Sequence, residues 1–120
     1  MFDYVKKRYG TTPDFPWDSD PESAVLRHYS NKKWYALIMH VPKNKLGLEG
    51  TQPVEVVNVK CDPLIIGSLR QSPGFLPAYH MNKEQWLTVL LDGTVSEKKI
   101  LELIDWSYDL TDKKKKVTKG

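Results

Sequence analysis

No stretch constrains this chain more than Lys33-Trp34-Tyr35-Ala36-Leu37-Ile38-Met39-His40-Val41. Read as a strand, it sets Leu37, Met39 and Val41 on one side and Trp34, Ala36 and Ile38 on the other, because successive side chains alternate. Apolar residues on both sides mean that both faces of its sheet need a cover. Further strand patterns lie at 24–28 and 54–60, and residues 77–91 read as two short strands joined at 82–85, the second over 86–91. Helical spacing is found elsewhere. Phe2, Val5 and Tyr9 share a face of an opening helix, and Asp62-Pro63 reads as an N-cap with proline at the first helical position of a segment reaching about Arg70. After Ser96, which caps the last helix, Ile100, Leu103, Ile104, Ser107 and Tyr108 mark one buried helical face. The predicted order is helix, three strands, helix, two strands, helix. That order gives an α+β fold, an antiparallel β-sheet backed by N- and C-terminal helices.

Residues 1–112 are expected to form a single domain, with 113–120 a basic, disordered tail. The chain of 120 residues carries a formal charge of +3, yet five of its 18 basic residues are Lys113, Lys114, Lys115, Lys116 and Lys119. Residues 1–112 therefore hold 13 basic and 15 acidic side chains, a balance of −2, which is not the composition of a strongly basic nucleic-acid-binding body. No apolar run approaches the ~18 residues of a membrane helix, so no membrane association is expected. The start shows no basic segment followed by an apolar stretch, so no secretory signal is expected. Cys61, the single cysteine, excludes an internal disulfide and fits a cytoplasmic location.

Two segments carry a family likeness: Arg27-His28-Tyr29-Ser30-Asn31-Lys32-Lys33-Trp34 and Pro77-Ala78-Tyr79-His80-Met81-Asn82-Lys83-Glu84-Gln85-Trp86. With Pro13-Asp14-Phe15-Pro16-Trp17, Leu46-Gly47-Leu48, Asn58-Val59-Lys60-Cys61-Asp62-Pro63, Leu91-Asp92-Gly93 and Ser107-Tyr108, they make the chain resemble the MmcQ/YjbR family of small bacterial proteins over residues 2 to about 111. The resemblance implies a frataxin-like (CyaY-like) sandwich. It also implies a DNA-binding role, since members are described as similar to DNA-binding proteins, although fold is a weak warrant for function.

Within the chain, His28 precedes Asn31-Lys32-Lys33-Trp34 and His80 precedes Asn82-Lys83 and then Trp86. Two hairpin tips thus repeat one pattern, and Asn31, Lys32, Lys33, Asn82 and Lys83 are the candidate contacts to DNA or RNA, weakly bound through phosphates. The competing reading gives Asn31 and Asn82 to turn geometry, Trp34 and Trp86 to the core, and His80 to a structural hydrogen bond. A second candidate is a cleft for a protein or small ligand around Tyr79, His80, Asn82 and Lys83. No catalytic constellation emerges: no glycine-rich phosphate loop, no nucleophile elbow, and no ligand spacing among His28, His40 and His80. Asp14, Asp18, Asp20 and Glu22 read as turn and capping groups rather than a cation loop, and Cys61 as a small buried residue. The expectation is a non-catalytic binding module, without metal or cofactor.

Overall fold

The computed structural model describes residues 1–112; the expected tail at 113–120 lies outside them. The elements are α1 (Phe2–Tyr9), β1 (Ala24–Arg27), β2 (Trp34–Pro42), a short 3-10 turn (Lys43–Leu46), β3 (Pro53–Lys60), α2 (Pro63–Leu69), β4 (Phe75–Pro77), β5 (Trp86–Leu90) and α3 (Glu97–Thr111). The five strands form one antiparallel sheet in the order β1-β2-β3-β5-β4. The α+β reading holds, as do the two helix starts. The Asp62 side chain accepts from the Leu64 N–H ahead of Pro63, and Ser96 accepts from the Lys99 N–H. Gly10, at φ 71, takes the left-handed conformation that closes α1. Among the described residues no helix is long and apolar enough to cross a membrane.

The helices line one face of the sheet. Leu26, Ala36, Ile38, Val57, Val59, Leu87 and Val89 from the strands meet Val5, Ile66, Ile100, Leu103 and Ile104 from the helices in one buried cluster. α3 lies across β2 and β3, and Ser107 fastens it there. Its hydroxyl donates to the Tyr35 carbonyl at 2.6 Å and accepts the Lys60 N–H at 2.9 Å. On the opposite face Val41, Val54, Val56 and Leu90 form a smaller cluster, with Leu46 and Leu48 packed on it. Loops rather than helices cover this outer face. They are the segment that includes Trp17, the 3-10 turn and residues 78–81.

Two expectations are corrected. β1 and β2 are out of simple register, since Leu26 pairs with Ala36 but Arg27 with Trp34, so Tyr35 is an extra residue in β2. Such a bulge puts neighbouring side chains on one face. Tyr35 joins Ala36 in the helix-face core, and Trp34 moves to the outer face beside Leu37 and Met39, opposite to where strict alternation puts it. Trp34, and Trp86 at the start of β5, are both half-buried, not core residues. Second, the strand expected over 77–81 stops at Pro77. The Tyr79 backbone bonds to side chains instead of to the β5 backbone: its N–H donates to Thr88 Oγ1 at 2.9 Å and its carbonyl accepts from Asn58 Nδ2 at 3.0 Å.

Candidate functional site

β2 and β5 both run antiparallel to β3, so both tips, 28–33 and 78–85, stand at the same end of the sheet. Two strand spacings, about 10 Å, separate the starts of β2 and β5. Beyond that the tips differ, and the reason is α3, whose C-terminal turn reaches the first tip.

At that first tip His28 is buried, 2% exposed, with Nε2 on Thr111 Oγ1 at 2.7 Å. Its ring packs on Tyr108 and Tyr35 with centroids 4.1 and 5.3 Å apart, and Tyr108 stacks on Tyr9 at 3.6 Å. Tyr4 and Tyr9 both donate to Asp105, which also faces Arg8 at 3.2 Å. Burial pushes the Tyr35 hydroxyl up to about 12, and it donates to Thr11. Asn31 is spent on structure, its amide donating to the Thr111 carbonyl and its oxygen accepting the Lys33 N–H. Lys32 and Lys33 are exposed. Lys32 takes the left-handed backbone at φ 63 and lies over the ring of Tyr29, itself 89% exposed.

Burial holds His28 below the usual histidine value of about 6.5. The folded chain therefore keeps the ring neutral where the unfolded chain protonates it. Stability is full above about pH 6.5 and falls as the pH drops through that value. Denaturant midpoints measured between pH 7.5 and 5.5 are expected to decline, and His28→Gln is expected to flatten that decline. An unchanged slope in the variant would show that His28 does not set it.

The second tip carries no such anchor. Asn82 accepts the Glu84 N–H, again turn geometry. Lys83 is exposed and borders a groove with Pro63, Ile66, Gly67 and Arg70 of the α2 region. His80 goes the other way. It is exposed at φ 61, its ring edge-on to Tyr79 at 4.0 Å, and among the described residues it makes no hydrogen bond, which corrects the structural role expected for it. Tyr79 packs with the outer-face cluster. The four residues expected to share one cleft, Tyr79, His80, Asn82 and Lys83, are thus divided between two surfaces.

The structure forms a different cleft, on the outer face. Trp17, Ser19, Asp20 and Ser23 wall it on one side, Trp34, Leu37 and Met39 make its floor, and His80 and Met81 close it, enclosing about 390 Å³. The Trp17 and Trp34 rings meet edge to face, centroids 5.9 Å apart at 85°. Arg27 lies 5.7 Å from the Trp34 ring and is paired with Asp14 at 2.9 Å. Asp20 accepts from the Ser23 hydroxyl, a turn role as read, whereas Asp14 pairs with Arg27 and Glu22 faces His40 at 3.5 Å. Beneath the cleft Asn58 and Thr88, both 0% exposed, bond to each other and to the Tyr79 backbone. This pair fixes the turn that presents His80. Its signal in the sequence was an amide inside a valine-rich strand, Val56-Val57-Asn58-Val59. Cys61 is buried, and burial pushes its thiol up.

The family model described as YjbR matches residues 6–110. The Bacillus subtilis protein named Uncharacterized protein YyaQ is 49% identical over 92% of this chain and 94% of its own length. A crystal structure of a Pseudomonas syringae protein superposes with a TM-score of 0.89 at 50% identity, over 92% of this chain and 95% of that one. A Deinococcus radiodurans protein of known structure follows with a TM-score of 0.68 at 31% identity, over 93% and 78% of the two chains.

Proposed function

This chain belongs to the YjbR family, and we propose that it is a non-catalytic module that binds a small organic ligand in the outer-face cleft between Trp17, Trp34 and His80. One observation carries the reading. Two half-buried indoles, one in the wall and one in the floor, line a concave surface closed by a strained, exposed histidine on a turn held by a buried Asn58–Thr88 pair. A left-handed histidine costs stability, and backbone strain of this kind gathers at binding sites. The apolar floor with a few polar groups at the rim suits a ligand pocket. A ligand that binds the fold raises its melting midpoint through mass action. A library of small organic compounds is therefore expected to contain some that raise the midpoint of the natural chain and leave that of Trp34→Ala unchanged. A library in which every active compound stabilises both proteins alike would count against this cleft.

A second reading, weak DNA or RNA binding, is favoured by the exposure of Lys32, Lys33 and Lys83 at one end of the sheet. Against it stand the body's balance of −2 and the placing of Lys83, which faces α2 rather than the first tip. A chain ending at Asp112 removes the tail's own attraction. Three phosphate contacts would give a salt slope of about −3 on duplex DNA. On the cleft reading that shortened chain shows no salt-dependent binding. A slope near −3 that disappears when Lys32, Lys33 and Lys83 are changed to Ala would put the function at the tips.

The CyaY-like sandwich belongs to the same proposal. It is supported by an antiparallel sheet with its helices on one face. A cytoplasmic location is supported by the single, buried, unpaired Cys61.

A further inference from the structure

We propose that the group held in the outer-face cleft is a small organic cation of the alkylated-ammonium class, a proposal that rests on the ligand-binding reading above. The two indoles set the geometry. At 85° and 5.9 Å they form a corner that can offer a ring face and a ring edge to one guest. Aromatic faces attract cations through their negative quadrupole, most strongly for indole. Met39 and Met81 add polarizable thioethers to the same corner.

Charge selects the guest. Asp20 lines the cleft, and neither lysine nor arginine does. The loop that supplies this wall, residues 14–22, holds Asp14, Asp18, Asp20 and Glu22 and no basic residue. The neighbouring cation, Arg27, is paired with Asp14. A phosphate or carboxylate would meet repulsion from Asp20 here. Arg27 already lies against Trp34, so the molecule contains its own instance of a weakly hydrated cation on that indole. An alkylated ammonium needs no hydrogen-bond acceptors, is cheaper to desolvate than a primary amine, and fits a site built of an indole face, thioethers and one carboxylate beside the His80 ring. A divalent metal would require several oxygen ligands instead.

The test uses the full chain and two probes of one shape: choline, and its carbon isostere with a tert-butyl group in place of the trimethylammonium. Choline is expected to bind saturably, read by tryptophan fluorescence, and about tenfold more tightly than the isostere. Asp20→Asn, which keeps an acceptor for Ser23, is expected to weaken choline several-fold and leave the isostere unchanged. Equal binding of both probes would overturn the cationic proposal and leave the cleft as an apolar site. Silence towards both probes, while other organic compounds stabilise the chain through Trp34, would also overturn it. Silence towards every compound would remove the ligand-binding reading itself.

Discussion

Leu103→Ala is expected to lower the unfolding free energy by about 2–5 kcal/mol, the range for a large aliphatic side chain lost from a packed core. Leu103 is 1% exposed within the cluster that α3 shares with the sheet. The value should fall towards the upper part of that range because α3 cannot settle into the void. Ser107, one turn on, is bonded to the backbones of both β2 and β3. Chemical denaturation checks this, with a lower midpoint and an unchanged slope. An effect no larger than the scatter of the measurement would take α3 out of the core.

Asn58→Ala is the second large effect, and its consequences are local as well as global. The substitution strands the Tyr79 carbonyl and takes the acceptor from the Thr88 hydroxyl, at about 1–3 kcal/mol for each buried partner left unpaired. It also removes what holds the turn at 78–81. Amide exchange at Tyr79, whose N–H Thr88 holds, is expected to rise far more than exchange in α3, and ligand response in the cleft to weaken with it. Asn58→Ala with full protection at Tyr79 would show that the turn is held by other means.

Much of the fold was legible because it is written in local chemistry. Asp62-Pro63 and Ser96 name the starts of α2 and α3 by their own capping groups, and the spacing of Ile100, Leu103, Ile104 and Ser107 names the buried face of α3. What could not be read depends on partners distant in sequence. The bulge at Tyr35 exists only in the register of β1 against β2, and it alone decides that Trp34 faces outward. The end of β4 depends on Asn58, 21 residues before the Tyr79 it holds. His28 and His80 share a local pattern, yet α3 covers one tip and not the other, so one ring is buried and the other exposed. The turn roles of Asn31 and Asn82 were correctly weighed, since an Asn side chain accepting an N–H two residues on is a local device.

The cleft can be watched through the four tryptophan side chains, 17, 34, 86 and 106, each of which gives its own indole N–H signal in a nitrogen-15 spectrum. Trp17 and Trp34 line the cleft, while Trp106 stands on α3 against Lys99 and Trp86 opens β5, so the molecule carries its own controls. Titrating the full chain with choline or with a compound that raises its melting midpoint is expected to move the signals of Trp17 and Trp34, with the backbone amides of His80 and Met81, and to leave those of Trp86 and Trp106 in place. Movement confined to Trp86 or Trp106, or spread evenly over all four, would contradict the assignment of the binding site to the outer-face cleft.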